Sequence, residues 1–458
     1  MGSSEWRVWC VLAACLLPAC AGAQSRELPR GIVGGEGSVF ADGRGAWLPV
    51  GATLFWAPWA YKFDRPKLER DLALLSRHGV DYIRVLGQVG VPGDPKDGWS
   101  DRLIDPGWAD ACGGRGAKAD CGTYDEVAAG LIDLAFDKYG IRVLWTVFGG
   151  AAFTPTPESR RALVDRLLAM SRGREHKIMH FEVANEYYHN GFRGPEGEAE
   201  LRQLGRHMQE QTQVLVALSA PRGSDCAVMQ RLYAGGVGEV VTEHFPRATR
   251  GRDPVWEPIR NVWDLQFCEG LPRLRTSNEP IGPLSSVRAE NDPRRLAMAA
   301  AVTYVSGVGG YVLHTGGGIR GGGRADRALG RPASIADVPG IDTILRGLKT
   351  AVRRLPADVP NWDRFDAAKD NPTVVVTASD GIAAAYGARR GDRFVVTAIG
   401  AGGTLTLRAR VPMDLEVVDP LDGRRLGGGS IAAGATLSVA VPGAALIVGR
   451  ASSVGGKG

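Results

Sequence analysis

Between Val50 and His314 the chain alternates short β-like runs with amphipathic helical patterns, and this alternation leaves few architectures open. The runs are Val50–Trp56, Tyr82–Leu86, Val143–Phe148, Ile178–Ala184, Val214–Leu218, Glu239–His244, Leu271–Thr276 and Gly310–His314. Helical patterns fall between them at Pro66–His78, Tyr124–Tyr139, Glu158–Arg172, Glu198–Gln211, Ser224–Ala234 and Pro293–Val305. In the first of these, Leu68, Leu72, Leu75 and His78 recur at three- and four-residue spacing and so share one face. Pro66 suits the first helical turn, while Gly79 and Gly140 stop their helices before the next strand. Eight strands interleaved with helices give a closed parallel barrel or an open doubly wound sheet. The open sheet would carry a glycine-rich dinucleotide loop after its first strand, where this chain has Ala57-Pro-Trp-Ala60. The expected fold is therefore a (β/α)₈ TIM barrel.

The rest of the chain divides around that barrel. Residues 31 to 49 read as a hairpin ahead of the first barrel strand. A last barrel helix, Ile341–Arg354, leads into a Pro-rich joint at Leu355–Trp362. From about Asn371 the helix signals vanish, and short β-like runs follow, separated by Gly and Asp-Gly turns. They are Thr373–Thr377, Ile382–Tyr386, Phe394–Ile399, Leu405–Arg408, Leu415–Val418, Thr436–Val441 and Ala445–Val448. This spacing predicts a small all-β sandwich of about 80 residues, with a loose polar tail from Ser452. The expected division is a signal at 1–23, a barrel at 24–365 and a C-terminal sandwich with its tail at 366–458.

The N-terminus reads as an export signal: Arg7, an apolar stretch from Val8 to Cys20, then Ala21-Gly22-Ala23 as a cleavage site. The apolar stretch is too short for a permanent span, and no later segment reaches the ~20 apolar residues a span needs. The implied location is secreted or periplasmic. Two lipobox-like tetrapeptides, ending at Cys15 and Cys20, keep open a lipoprotein anchored at Cys20, the one membrane contact expected. A net charge of +5 over 458 residues, with no dense basic run, gives no reason to expect a nucleic-acid partner. Of the four cysteines beyond the signal, Cys112 and Cys121 bracket a Gly-rich loop and are expected to pair, with Cys226 and Cys268 as a second pair. No CxxC spacing occurs, so neither a metal nor an organic cofactor is implied.

Two glutamate motifs carry the chemistry. Ala184-Asn185-Glu186 ends the fourth strand-like run, and Ser277-Asn278-Glu279-Pro280 follows the seventh. Glu279 lies 93 residues beyond Glu186, room for about three strand–helix units of roughly 30 residues. In a barrel, both carboxyls would face each other across the C-terminal mouth, where such folds keep their active sites. Paired carboxyls are what glycoside hydrolysis needs.

With these strands placed, the stretch from about Val33 to Leu355 resembles the retaining glycoside hydrolases of clan A, without pointing to one family among them. The resemblance implies Glu186 as acid/base and Glu279 as nucleophile. Arg84, in Asp81-Tyr-Ile-Arg-Val85, is the implied partner of the nucleophile, and His244, in Thr242-Glu-His-Phe245, matches a frequent sixth-strand histidine. The chain departs from the pattern in three places. Strand eight, Tyr311-Val-Leu-His314-Thr-Gly-Gly-Gly-Ile319, lacks the usual Trp; Pro246 stands where a Tyr is usual; and Pro280-Ile-Gly282 follows the nucleophile.

Other residues are weighed against plainer roles. Asn185 is placed to hydrogen-bond a sugar 2-hydroxyl. Glu182, mid-strand, reads as a buried salt-bridge partner, and Glu243 as a lesser rival for the second carboxyl. His244 and His314 stand evenly between substrate contact and structural hydrogen bonding. Aromatics cluster at strand ends, and Trp56, Trp59 and Tyr187 are the expected sugar platforms. The glycines from Gly316 to Gly323 lack the Lys-Ser/Thr ending of a phosphate loop and read as a flexible rim. The long segment from Gln88 to Gly122 reads as a groove wall. Together these features predict an exported retaining glycosidase acting on a poly- or oligosaccharide, with β-linkage favoured. Transglycosylation by the same residues and a non-catalytic glycan-binding barrel are the alternatives, and the oligomeric state is unknown.

Overall fold

A computed structural model describes residues 31–90, 103–108, 122–249, 255–265, 268–285, 289–319, 334–378 and 381–452. The expected signal and lipid-anchor residues, the Cys112–Cys121 pair, most of the Gln88–Gly122 wall, residues 320–323 and the final tail lie outside the described residues. Three antiparallel strands come first: β1 (Gly34–Glu36), β2 (Val39–Asp42) and β3 (Gly45–Trp47), one strand more than the expected hairpin. Eight parallel strands then close a ring in chain order. They are β4 (Val50–Thr53), β5 (Tyr82–Leu86), β6 (Arg142–Phe148), β7 (Ile178–Ala184), β8 (Val216–Ala217), β9 (Val240–Glu243), β10 (Leu274–Ser277) and β11 (Gly310–Leu313). This is the (β/α)₈ barrel that the alternation predicts.

Local signals explain the helices that wrap it. Asp64 accepts a hydrogen bond from the Lys67 amide and starts the helix Arg65–Arg77, whose Leu68, Leu72 and Leu75 are buried as the spacing requires. Thr123 and Glu126 form a capping box at Tyr124, and that helix widens into a π turn over Leu134–Lys138. The first barrel strand stops at Thr53, short of the expected Trp56, and after a turn the short helix Ala57–Phe63 begins, with Pro58 in its first turn.

The alternation along each strand sets the barrel interior in layers. At the N-terminal floor, Phe40 from the antiparallel meander plugs a ring of Tyr82, Leu144, Met179, Val240, Leu274 and Val312. Gly51 leaves room for Tyr82, because a Cβ there would sit 2.5 Å from the ring. The buried Arg142 ties the plug down, pairing with Asp42 at 2.9 Å and donating to the Gly31 carbonyl.

The C-terminal part is a sandwich of two antiparallel sheets. One is formed by Asp363–Asp366, Ile382–Arg390, Arg393–Gly400, Ala445–Ala451, Met413–Val418 and Arg425–Ile431, the other by Val374–Ala378, Gly403–Ala409 and Thr436–Val441. Two of these strands escape the sequence reading. Arg425–Ile431 is hidden by three successive glycines, of which Gly428 is obligatory because a Cβ would lie 2.3 Å from the Leu415 carbonyl. The sandwich has its own core, including Val376, Phe394, Val396, Leu405, Leu415 and Ile447. It docks on the barrel through stacked Trp263 and Tyr386 rings 4.5 Å apart and an Arg294–Asp419 ion pair at 2.6 Å. Cys226 and Cys268 are joined, their Cα atoms 5.4 Å apart. Among the described residues no helix is long and apolar enough to cross a membrane.

Candidate active site

At the mouth of the barrel, β7 and β10 deliver the two glutamates to one cluster. Glu186 stands two residues past the end of β7 with φ +38°, in the left-handed region that non-glycine residues rarely occupy. Strain of this kind concentrates at functional sites. Asn190 donates from its side-chain amide to the Asn185 carbonyl, and the His189 amide donates to the Glu186 carbonyl at 2.7 Å, so the turn is held from within. Glu279 stands two residues past β10 and is buried.

Arg84 organises the floor beneath them. It is fully buried, and its Nη1 donates to Glu279 Oε1 at 2.9 Å. Nη2 donates to Glu182 Oε2 and to Asn185 Oδ1, both at 2.8 Å, and Nε donates again to Glu182 at 3.1 Å. Glu182 thus takes the salt-bridge role read from its mid-strand position. Two residues that the sequence reading does not single out complete its shell: Thr146 donates to Oε2 at 2.6 Å and Asn278 donates to Oε1 at 3.2 Å. A buried ion pair of this kind persists only with its remaining lone pairs satisfied.

His244 lies between the two carboxyls, Nδ1 3.5 Å from Glu186 Oε1 and Nε2 3.7 Å from Glu279 Oε1. Both separations exceed those of formed hydrogen bonds, and neither ring nitrogen of this buried imidazole is hydrogen-bonded. His314 approaches Glu279 Oε2 at 3.8 Å, its Nδ1 held by the Thr53 hydroxyl at 2.9 Å. Arg247, in the loop after β9, reaches Glu279 Oε2 at 3.4 Å. The sequence reading overlooks it, and its only signal is a cationic residue directly after the Pro246 that replaces the usual Tyr.

The electrostatics divide the carboxyls by role. Burial pushes the Glu279 carboxyl up, yet His244, His314, Arg84 and Arg247 outweigh it and hold the group well below the usual range. Burial drives the His314 imidazole itself down to about 3, so it acts on Glu279 only when protonated, whereas the Arg84 and Arg247 guanidinium groups are always charged. The Glu186 carboxyl is also lowered, first by polar contact with His244, against the opposing effects of burial and the Glu279 charge. A general acid is expected to sit high, and in the resting site Glu186 does not, because contact with His244 favours its ionised form. Glu243 faces away from the barrel interior, 3.5 Å from Arg275, and burial pushes it up to about 7. Its orientation removes it as a partner for Glu186.

The expected aromatic platform is largely absent. Trp56 is 2 % exposed, its indole N–H donates to the Gly317 carbonyl at 3.0 Å, and the Lys67 ammonium lies 4.0 Å from its ring. Its face is spent on packing. Tyr187 is buried as well, its hydroxyl donating to Glu198 at 2.9 Å. Trp59 is half-buried against Phe63. The first glycines of the run after β11 are close-packed rather than flexible: a Cβ on Gly316 or Gly318 would lie 2.2 Å from the Leu284 carbonyl or 1.8 Å from that of Thr53.

One oxygen each from Glu186 and Glu279 and a ring nitrogen of His244 lie within 4.8 Å of one another. Three such donors could hold a cation in principle. The two guanidinium groups on Glu279 would repel it, and the arrangement suits proton transfer and nucleophilic attack better. A cavity of about 590 Å³ lies elsewhere, between barrel and sandwich, lined by Trp256, Arg260, Arg294 and Gly443.

Solved structures share this architecture. One described as a glycoside hydrolase matches with a TM-score of 0.64 at 15 % identity, covering 93 % of this chain and 99 % of that one. A family 5 glycoside hydrolase from Bacteroides vulgatus gives 0.65 at 15 % identity, covering 94 % and 96 %. The fold is shared with glycoside hydrolases. A family 27 β-L-arabinopyranosidase from Geobacillus stearothermophilus, solved with arabinose, gives 0.53 at 11 % identity, covering 89 % and 98 %. No protein-family model matches the sequence, nor does any curated protein.

Proposed function

We propose that the chain is a retaining glycosidase acting on a poly- or oligosaccharide, with Glu279 as nucleophile and Glu186 as acid/base. The observation that carries this reading is that one carboxylate oxygen of Glu186 comes within 4.8 Å of one of Glu279 across the barrel mouth. Retaining enzymes hold their carboxyls ~5–5.5 Å apart, whereas inverting ones leave ~6.5–9.5 Å for a water. Likeness of fold to glycoside hydrolases adds support.

In the first step Glu279 attacks the anomeric carbon, the glycosidic C–O bond breaks, and the Glu186 proton passes to the leaving oxygen. In the second, water adds to the anomeric carbon, gives a proton to Glu186, and the ester to Glu279 breaks. A sugar hydroxyl in place of water would make the same site a transglycosylase. Arg84 keeps Glu279 ionised and directs the Asn185 amide oxygen inward, which leaves the amide N–H₂ for a sugar hydroxyl. A sugar entering the site desolvates Glu186 and displaces its contact with His244, and both changes raise its pKa. The basic limb of kcat should therefore lie at higher pH than that of kcat/KM, the first reporting the complex and the second the free enzyme.

The test is the anomeric configuration of the first product, followed by NMR on aryl glycosides and β-linked polysaccharides with Glu279→Gln alongside. Retained configuration and loss of turnover in the variant are expected; an inverted product would sink the mechanism. The stretch Tyr311–Ile319, which lacks the Trp usual after strand eight, favours one other reading, a glycan-binding barrel without turnover. Binding unchanged in both Glu186→Gln and Glu279→Gln, with no hydrolysis by any form, would establish it. Export belongs to the same proposal and rests on residues 1–23. N-terminal sequencing of the mature protein distinguishes cleavage after Ala23 from a lipid-modified Cys20.

A further inference from the structure

We infer that Arg247 selects a substrate bearing an anionic group, a carboxylate or a sulfate ester, on the sugar at or next to the reacting ring. The inference rests on the glycosidase reading and follows from where charge resides before and after the first step.

Two guanidinium groups flank Glu279 and differ in their other partners. Arg84 is fully buried and retains Glu182 as a counter-ion whatever happens to Glu279. Arg247 is placed differently. Among the described residues Glu279 is the carboxylate it pairs with, and its second contact is the Ser285 hydroxyl. Those contacts are 3.4 and 3.5 Å, longer than the ~2.7–2.9 Å of a well-formed guanidinium–carboxylate bond. A guanidinium has five N–H donors in a planar fork suited to bidentate recognition of oxyanions. Arg247 uses few of them, and those weakly.

The reaction then removes its partner. When Glu279 becomes a glycosyl ester its charge is gone, and the negative charge appears on Glu186, which has given up its proton. Glu186 touches His244, and Arg247 makes no ion pair with it. The charge has moved to the far side of the imidazole. Neutral His314 offers Arg247 no compensation. With its side chain only 11 % exposed, Arg247 is shielded from the water that would otherwise screen it. A neutral sugar leaves this cation uncompensated in the intermediate. A sugar carrying its own oxyanion supplies the fork with a partner as Glu279 withdraws, which favours the transition state over the ground state, where the two anions compete.

Two measurements test this, with D-glucuronate, glucose 6-sulfate and glucose as probes in calorimetric binding. In Glu279→Gln the competing carboxylate is gone, so glucuronate or the sulfate should bind about tenfold or more tightly than to wild type, with glucose little changed. Glu279→Gln/Arg247→Gln should lose that gain, and Glu279→Gln/Arg247→Lys, with the charge but not the fork, should keep part of it. The glucuronate and sulfate arms identify which oxyanion is read. Equal binding of all three probes to Glu279→Gln, or a gain that survives Arg247→Gln, would overturn the inference. The second measurement compares wild-type kcat/KM on 4-nitrophenyl β-D-glucuronide and 4-nitrophenyl β-D-glucoside. A preference for the acidic glycoside that falls about 10- to 100-fold in Arg247→Lys supports the inference. Brisk turnover of the neutral glycoside without preference overturns it but leaves the glycosidase reading intact. No turnover of any glycoside, with selective glucuronate binding lost in Arg247→Gln, would overturn the glycosidase reading and keep the anion site.

Discussion

The two ends of the barrel interior are built from the same eight strands and solve opposite problems. At the floor, Phe40, Tyr82, Leu144, Met179, Val240, Leu274 and Val312 fill the ring with apolar bulk. At the mouth, the next inward positions carry Arg84, Thr146, Glu182, Thr242, Thr276, Asn278 and the loops with Glu186, His244 and Glu279. Removing a charge there breaks a network whose members are buried against one another, whereas removing a ring at the floor opens a cavity. Between the layers sits His180, stacked on Phe40 at 6.0 Å, with both ring nitrogens buried and without hydrogen bonds. It is an imperfect seam. The floor therefore holds stability without chemistry, and the mouth spends stability to hold charges in place.

This contrast can be broken or sharpened by substitution. The largest effect should come at the mouth: Glu186→Gln is expected to lower kcat/KM on a natural glycan by about 10³–10⁴-fold. On an aryl glycoside whose leaving group needs no protonation the loss of the first step should be much smaller. Arg84→Met should cost about 3–5 kcal/mol in denaturant unfolding, because Glu182 and Glu279 would be left buried without their cation. It should also raise the Glu279 pKa and move the acidic limb of the rate profile to higher pH. A limb that stays in place would show that Arg84 does not tune the nucleophile.

Phe40→Ala, at the floor, should cost about 3–4 kcal/mol in the same unfolding measurement and leave the pH profile of kcat/KM unmoved. A moved profile would mean that the two layers are coupled. Glu243→Gln tests the outward-facing carboxyl. Its folded pKa, about 7, stands above the unfolded value, so its contribution is most favourable at low pH and is lost as pH rises through 7. Relative to wild type, the variant should gain up to about 3 kcal/mol between pH 4 and pH 8. The smallest effect is expected at the seam, where His180→Leu should raise stability by about 1 kcal/mol by removing unpaired polar atoms. A loss instead would indicate that the imidazole is satisfied in solution.

Much of this was legible before any coordinates. Period-two and period-3.6 patterns place all eight barrel strands and most helices, because each element must bury one face. The glutamates at the ends of β7 and β10 were visible because a parallel barrel puts every strand end at one rim. Three features were not visible. Trp56 read as a sugar platform, yet whether an indole faces solvent depends on what packs over it, here Gly317 and Lys67. Arg425–Ile431 hid behind its glycines, which are poor strand formers tolerated only because Leu415 passes so close. Arg247 gave only the weak signal of standing after Pro246, since one arginine in a loop is ordinary until its neighbours are known.

The sequence by itself determined the alternation, hence the closed barrel, and with it the end of the barrel where the two carboxylates must sit. Only the tertiary structure decided which way each polar side chain turns. It turned Glu182 and Arg84 toward each other, Glu243 away, and Arg247 onto Glu279. The physical reason is that periodicity is set by local backbone geometry, whereas burial and charge pairing depend on residues 32 to 195 positions apart meeting in one low-dielectric space.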